Sequence, residues 1–434
     1  MSGKKILTIA LALLLVFATG VSAAGQKESG DAVTTLNFWV FNALHADFYQ
    51  DAADRWNQEF PDRQIRLEIT ETPGDELANQ LNLAFQSSVG APDIVDININ
   101  HFSNFLRDDI HLLSLDDIVD PVKEHFVQSR FDVYSKDGTV YGLPTHVGAT
   151  VVYYNMDVMD AAGVDIDSIL TWDDYEEAGF QVLEKTGLPM TVIETIDQRP
   201  FWPMIVQAGG DYLGPDGSVT LDSDINIEVL ERLYRWVFEY GIAAGAAGGN
   251  TYVEEFFPSV NNGEMGSLIM PMWYMARYLS FMPDLKGKIA VRPLPVWETG
   301  GKRSAGIGGT GTAVTDQTKY PELAKEFLAY AKLSVDSNIA LWEILKFDPP
   351  RWDGVWNHLA LLEPDEYFYN ERVFETLLKL AENDEIPSPN MGTLAADAQT
   401  VVRQSVMPWV FEAKTHTPAE ALKQAAEELR AIRR

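Results

Sequence analysis

Strand and helix periodicities alternate along the first part of this chain. Residues 36–41 are apolar and aromatic, 65–69 alternate between apolar and polar, and 92–95 begin a third apolar stretch. Between them, 47–60 and 75–86 carry apolar side chains three or four positions apart, which is the spacing of one helix face. This β-α-β-α-β order predicts an α/β fold with a mostly parallel sheet covered by helices, because parallel neighbours need a crossover connection.

The same alternation continues through the rest of the 434 residues. Another apolar run is followed by several helical stretches, one of which starts with the capping pattern Thr171-Trp172-Asp173-Asp174. The run is 151–154, further helices are expected at 227–240, at 322–333 and after 417, and glycine-rich loops at 242–251 and 298–311. A chain of this length without an internal repeat has material for two or three domains.

The first residues predict export from the cytoplasm. Lys4 and Lys5 precede the apolar run 6–17, and small residues at 21–24 offer cleavage sites, which together are typical of a secretory signal peptide. The run is shorter than the ~20 residues of a membrane-spanning helix. We therefore expect residues 1–23 to be removed and the mature chain to be periplasmic or extracellular. Because the sequence contains no cysteine, we expect neither disulfides nor a lipid anchor at the cleavage site.

Charge and aromatic content narrow the range of partners. The chain has 64 acidic and 33 basic residues and a formal net charge of −31, which disfavours nucleic acid and anionic membrane surfaces. Its 11 tryptophans and 16 tyrosines have flat apolar faces and polar edges. Such side chains suit sugar rings, which have apolar C–H faces and a rim of hydroxyl groups, although most of them are expected in the core.

Five short phrases occur in a fixed order behind the predicted signal peptide. They are LNFWVF at 36–41, GAPDIV at 90–95, GTVYGLP at 138–144 followed by VVYYNMD at 151–157, TWDDY at 171–175, and GGTG at 308–311 before AKEFL at 324–328. In this order they resemble the extracellular solute-binding proteins of carbohydrate ABC importers, the group that includes maltose-binding protein. A further phrase, FDPPRWD at 347–353, is similar to one in arabino-oligosaccharide-binding members.

The resemblance implies a two-lobe periplasmic binding protein fold, each lobe a mostly parallel sheet flanked by helices, with a ligand cleft that closes by a hinge. By position, the N-terminal lobe is 34–143 with 300–350, and the C-terminal lobe is 144–299 with 351–434. The implied function is capture of a neutral oligosaccharide for the membrane permease of an ABC importer. We expect a monomer that is not an enzyme and that needs no cofactor or metal.

Polar residues at predicted strand ends are candidate ligand contacts, since ligands of open α/β sheets gather at the carboxyl ends of strands. The candidates after the first and third strands are Phe41, Asn42, His45, Asn98, Asn100 and His101. The alternative for the first group is a simple helix start, and for the second it is helix capping.

Aromatic residues and one glycine-rich loop complete the candidate site. In the family, a tryptophan that stacks on the ligand commonly follows the strand at 266–270, which points to Trp273, with Tyr274 as second choice. Trp202 lies between two prolines, which predicts an exposed ring for stacking. The remaining candidates are His146, at the first crossing between lobes, and Gly309 and Thr310, in a loop that lines the sugar site in the family. A structural histidine and a plain turn are the alternatives for these positions.

Other functions stay open. A secreted glycoside hydrolase needs two carboxylates about 5–10 Å apart, and no pair stands out in the sequence, which also lacks GxSxG and HExxH motifs. A polyamine or another small polar solute would fit the same fold with acidic and aromatic walls. A phosphorylated sugar would need clustered arginine and lysine, and the candidate loops contain few bases, which favours a neutral glycan.

Overall fold

A computed structural model describes residues 33–383 and 385–432, so the predicted signal peptide lies outside the described residues. In these two ranges no helix has both the length and the apolarity required to span a bilayer. The strands of the described chain are β1 (Thr34–Val40), β2 (Ile65–Glu71), β3 (Ile94–Asn98), β4 (Ser135–Lys136), β5 (Thr139–Val140), β6 (Leu143–Pro144), β7 (Thr150–Asn155), β8 (Thr191–Ile193), β9 (Ala243–Gly245), β10 (Ser267–Pro271), β11 (Ile289–Pro293) and β12 (Thr310–Val314).

The longer helices are α1 (Ala43–Glu59), α2 (Gly74–Ser87), α3 (Trp172–Thr186), α4 (Asp224–Phe238), α5 (Pro321–Leu333), α6 (Val335–Leu345), α7 (Phe374–Glu382) and α8 (Pro418–Ile432). Shorter helical segments are Ile99–Phe102, Asp116–Val119, Ser129–Asp132, Met156–Ala162, Phe201–Gln207, Phe257–Asn261, Met275–Phe281, Leu359–Leu362, Ala395–Val401, Val402–Val406 and Pro408–Glu412. The predicted capping box at the start of α3 is confirmed, because Thr171 and Asp174 each accept a hydrogen bond from the other's backbone N–H.

The first sheet contains the alternating elements expected from the sequence. Its strand order is β2-β1-β3-β12-β6, and β1 pairs in parallel with both β2 and β3. The late strand β12 inserts antiparallel between β3 and β6. Helix α1 covers this sheet with the buried side chains of Phe48, Ala52 and Trp56, which are the positions spaced by four in the sequence.

The second sheet differs from the predicted mostly parallel arrangement. Its order is β10-β7-β11, and both outer strands run antiparallel to β7. The prediction is wrong here because β10 and β11 come from a segment more than 100 residues after β7, so no single crossover helix sets their direction. A parallel pair does form between β8 and β9, and β9 lies within the stretch expected to be a loop.

The chain passes between the two sheets more than once. It leaves the first sheet after β6 to form β7, and it returns from β11 to β12. Strands of the two sheets therefore alternate along the sequence, and the exact residue limits of the two lobes stay a prediction. Asp348 lies beside the first of these passages, where its Oδ2 accepts the Ala149 N–H at 2.8 Å and its carbonyl accepts the Val147 N–H at 2.9 Å.

We predict that Asp348→Asn weakens the pH dependence of stability. Burial raises the pKa of Asp348 to about 7 from 3.8. Between these values the folded state binds the extra proton, so stability falls as pH rises through this window. The amide keeps an acceptor for Ala149 and does not ionise. The fall in Tm between pH 4.5 and 7.5, measured by calorimetry, should shrink by about 2 °C or more.

Asp132→Asn is the matched control, because Asp132 is exposed. Its profile of Tm against pH should match that of the parent chain. An Asp348→Asn profile as steep as that of the parent would contradict the assignment of a buried, protonated carboxyl.

Candidate ligand-binding cleft

A cavity of about 830 Å³ opens where the strand ends of the two sheets meet. Its walls come from the segments after β1, β3 and β10 and from the start of β12. Ten of the twelve predicted site residues line this cleft, namely Phe41, Asn42, His45, Asn98, Asn100, His101, His146, Trp273, Gly309 and Thr310. Another cavity, of about 610 Å³ beside β11 and α7, contains none of them.

A buried carboxylate orients His45. Asp96 is fully buried, and its Oδ2 lies 2.9 Å from His45 Nδ1. Its Oδ1 accepts hydrogen bonds from the Tyr49 hydroxyl at 2.8 Å and the Thr312 hydroxyl at 2.7 Å. The same contacts tie α1, β3 and β12 together. They hold the His45 ring in one orientation at the cleft, with Nε2 outside this network.

His146 and His45 both pack against Phe347. The Phe347 ring meets His45 edge to face at 5.7 Å and His146 at 5.2 Å. Burial lowers the pKa of His146 well below its ordinary value, and the nearby positive charge of Arg130 lowers it further. His146 is therefore a neutral imidazole at neutral pH, with one nitrogen that donates and one that accepts.

The polar segment after β3 starts a short helix and also faces the cleft. Asn98 caps the segment Ile99–Phe102, because its Oδ1 accepts the Asn100 N–H at 2.9 Å. Capping is thus performed by Asn98 and not by Asn100 or His101. The His101 Nε2 lies 2.7 Å from Asp75 Oδ1, and this contact is the main reason that the pKa of Asp75 is lowered to about 2.

Trp273 forms a stacked aromatic pair with Tyr252. The ring centroids are 5.8 Å apart and the planes 20° from parallel, and the Trp273 Nε1–H donates to the Ile307 carbonyl at 3.3 Å. The guanidinium carbons of Arg199 and Arg277 lie 5.5 and 5.7 Å from the Trp273 ring centroid. These contacts hold the two rings in place, with both guanidinium groups packed over them.

A buried arginine holds the glycine-rich loop against this surface. Arg130 is fully buried and donates to the carbonyls of Gly306 at 3.0 Å and Gly308 at 2.9 Å. Gly308 has φ +82°, and a Cβ at this position would lie 2.9 Å from Trp273 Nε1. Glycine is required here both for the backbone conformation and for the close approach of the indole ring.

Two predicted aromatic residues lie outside the cleft lining. The premise that Trp202 is exposed is wrong, because its ring is 1 % exposed, stacks on Tyr212, and donates Nε1–H to Asp211 at 3.1 Å. The flanking prolines do not form a loop, since Trp202 belongs to the helix Phe201–Gln207. Tyr274 is also fully buried, and its hydroxyl donates to the Thr251 carbonyl at 2.7 Å.

Several residues in the cleft were not among the predicted contacts. The main ones are Arg199, Tyr252, Arg277, Phe347 and Arg403. Tyr252 directly follows the glycine-rich stretch 242–251, and Phe347 is the first residue of the phrase FDPPRWD. Both positions therefore had a local sequence feature that could have marked them as candidates. Arg277 and Arg403 lie in helical segments, where a single sequence does not distinguish an arginine that faces a cleft from one that faces bulk water.

Five of the fourteen buried polar side-chain atoms without a hydrogen-bond partner among the described residues belong to residues that line this cleft. They are His146 Nδ1, Arg199 Nε and Nη1, Tyr252 Oη and Arg403 Nε. Residues 33–383 and 385–432 contain no cluster of three or more side chains suited to a metal ion.

The fold and the cleft define a two-lobe binding protein. The ABC transporter-associated binding protein from B. animalis subsp. lactis Bl-04, solved with β-1,6-galactobiose, superposes with a TM-score of 0.76 at 19 % identity over 92 % of this chain and 97 % of that chain. The GacH receptor of Streptomyces glaucescens GLA.O gives a TM-score of 0.75 at 19 % identity, over 92 % of this chain and 98 % of that chain. These similarities confirm the predicted α/β two-lobe fold.

Sequence comparison identifies the family. An arabinooligosaccharide-binding protein of Halalkalibacterium halodurans is 48 % identical over 403 residues, which are 92 % of this chain and 90 % of the relative. An arabinooligosaccharide-binding protein of Bacillus subtilis (strain 168) is 42 % identical over 98 % of this chain and 99 % of its own length. The profile of the bacterial extracellular solute-binding protein family matches residues 42–334. The chain therefore belongs to this family, whose members act as solute-binding components of ABC importers and not as enzymes.

We predict that Gly308→Ala displaces the Trp273 ring. The new Cβ would collide with the indole and also strain a left-handed backbone position. The near-ultraviolet circular dichroism of tryptophan should change, and Tm should fall by about 2–5 °C. Gly187→Ala is the matched control, because Gly187 has φ +74° with no heavy atom within 4 Å of a Cβ. If both variants show the same spectrum and the same Tm, the proposed contact does not constrain the cleft.

Proposed function

We propose that this chain captures an arabino-oligosaccharide in the cleft and delivers it, outside the membrane, to the permease of an ABC importer. The observation that carries the proposal is the cleft itself, in which a stacked Trp273–Tyr252 pair lies beside buried polar atoms that lack partners. The sequence identity to two arabinooligosaccharide-binding proteins supports the choice of sugar.

The cleft has the two properties that a sugar requires. An aromatic face packs against the apolar C–H face of a sugar ring, which contributes about 0.5–1.5 kcal/mol per good contact. Side chains that both donate and accept, such as the neutral His146 and the amides of Asn98 and Asn100, pair hydroxyl groups. Pairing of this kind discriminates strongly against ligands that lack the hydroxyl, because the protein group is then left unpaired.

The two carboxyl groups with a shifted pKa in and beside the cleft, Asp75 and Glu194, do not form a hydrolase pair. A glycosidase needs one carboxylic acid with a raised pKa beside a second, ionised carboxylate. The pKa of Asp75 is lowered to about 2 by His101 and Arg403, so it stays ionised. The pKa of Glu194 is raised by burial, but its carboxylate accepts from the Thr251 hydroxyl at 2.6 Å and the Arg199 N–H at 2.9 Å and does not line the cleft.

A polyamine is also disfavoured as the ligand. It would need unpaired carboxylates against aromatic walls, and the acidic residues of the lining are engaged with the protein. Asp75 pairs with His101 and Arg403, Asp197 lies 3.6 Å from Arg199, and Glu71 accepts the Ala43 N–H. Three arginines, Arg199, Arg277 and Arg403, line the same cleft. The cationic side chains would repel a polyamine at close range, where salt does not screen them effectively.

Transport requires release as well as capture. We propose that the passages between the sheets, around 145–149 and 294–309, act as hinges that close the lobes on the sugar. The permease would accept the closed form. We further propose that the chain is exported with cleavage near residue 23 and works as a monomer.

The direct test is a ligand panel with residues 24–434. Arabino-, xylo-, manno- and gluco-oligosaccharides, a polyamine and a sugar phosphate are compared by calorimetry, and each glycan is recovered and analysed by chromatography. We expect binding with Kd at about micromolar or below for arabino-oligosaccharides, which raises Tm, and recovery of the glycan intact. A cleaved glycan would refute the transport role, and binding of only a polyamine or a sugar phosphate would refute the ligand class.

Trp273→Ala should weaken arabino-oligosaccharide binding by about 10-fold, because it removes a stacking face and loosens Tyr252. Trp273→Phe should lose less affinity than Trp273→Ala, since an aromatic ring remains. Trp352→Ala is the control, because Trp352 is 45 % exposed and does not line the cleft. Calorimetry that gives Trp273→Ala the affinity of the control would show that the ligand lies elsewhere.

A further inference from the structure

Two guanidinium groups flank one aromatic pair at one end of the cleft. The guanidinium carbon of Arg199 lies 5.1 Å from the Tyr252 ring centroid and 5.5 Å from that of Trp273. The corresponding distances for Arg277 are 5.2 and 5.7 Å. All four side chains line the cavity. Two cations at one place are unexpected in a chain with a net charge of −31, where carboxylates outnumber bases.

Arg277 has no acidic partner within the described residues. No ion pair or hydrogen bond to its guanidinium group is formed there, and Arg277 is a partly buried residue of the cleft lining. Burial lowers the pKa of Arg277, and the charge of Arg199 lowers it further. Within the described residues, Arg277 therefore has no carboxylate of its own, whereas Glu194 and Asp197 lie near Arg199.

Arg199 is only loosely paired. Its Nη1 lies 3.6 Å from Glu194 Oε2 and 3.6 Å from Asp197 Oδ1, which is beyond hydrogen-bond distance. The Glu194 carboxylate instead accepts the Thr251 hydroxyl and the backbone N–H of Arg199. Arg199 Nε and Nη1 are thus left without a hydrogen-bond partner, although the side chain is 6 % exposed.

Guanidinium groups only donate hydrogen bonds, so this end of the cleft matches a group that only accepts. A sugar hydroxyl both donates and accepts, whereas a carboxylate accepts at both oxygens and fits the planar guanidinium fork. We propose that Arg199 and Arg277 form a subsite for a carboxylate carried by the bound oligosaccharide. This inference rests on the proposed function, and the neutral part of the sugar chain still lies along the rest of the cleft.

Two kinds of sugar carry such a carboxylate, namely a uronic acid residue within the oligosaccharide and an aldonic acid at an oxidised reducing end. The sequence favoured a neutral glycan because the candidate loops contain few bases. The arginines come instead from the segment before the helix Phe201–Gln207 and from the helix Met275–Phe281. An oligosaccharide with a neutral main chain and one acidic group agrees with both the base-poor loops and the two cleft arginines.

The experiment compares three ligands of the same length by calorimetry: neutral arabinotriose, its aldonate made by oxidation of the reducing end, and an arabino-oligosaccharide that carries one uronic acid residue. We expect one of the acidic ligands to bind about 10-fold more tightly than the neutral one at low salt. The preference should fall to about 3-fold or less near 0.5 M salt. The acidic ligand that binds more tightly than neutral arabinotriose identifies the source of the carboxylate.

Variants separate a charge contact from a structural role. Arg277→Gln should remove the preference, so that this variant binds the acidic and neutral ligands with affinities within about 3-fold of each other, and Arg277→Lys should retain part of the preference. Arg372→Gln, on an exposed part of the surface, should behave as the parent chain, and Tm is measured for every variant.

Three equal affinities, or a preference for the neutral ligand, would overturn this proposal and leave the proposed function intact. An acidic preference that survives Arg277→Gln and high salt would also overturn it. Failure of all three ligands to bind would reject the proposed function and this subsite together.

Discussion

The buried guanidinium of Arg130 organises the centre of this molecule. Its two hydrogen bonds hold the carbonyls of Gly306 and Gly308 at the point where the chain returns from the second sheet to the first. The loop then continues into β12, which inserts between β3 and β6, and it presents the Ile307 carbonyl to Trp273. One fixed loop therefore connects both sheets and forms the floor of the cleft.

Most cleft side chains are held in place before any ligand arrives. Asp96 fixes His45, Phe347 packs against both histidines, and the arginines pack over Tyr252 and Trp273. A preorganised site loses little side-chain entropy on binding, and that loss is one of the main costs of affinity.

Local sequence periodicity was sufficient to locate β1, β2, β3 and most helices, because hydrophobic spacing within each segment indicates its type. The positions of β12 and of the antiparallel strand β10 depend on partners more than 100 residues distant, so only the family resemblance indicated the interleaving. At the site, the residues predicted next to strand ends line the cleft, and their contact with a ligand stays a prediction. The expected exposure of Trp202 is wrong because a proline-flanked tryptophan was interpreted as a loop residue, whereas tertiary packing buries it on Tyr212. Arg277 was missed because nothing in a short helix marks the side that faces a cavity.

The most direct test of the central claim is the crystal structure of the chain with a bound arabino-oligosaccharide. We expect a sugar ring stacked on Trp273, with hydroxyl groups hydrogen-bonded to polar side chains of the cleft lining, and the two lobes closed around it. Sugar density at another surface, or a cleft that stays empty at saturating ligand, would contradict the assignment of this cleft as the binding site.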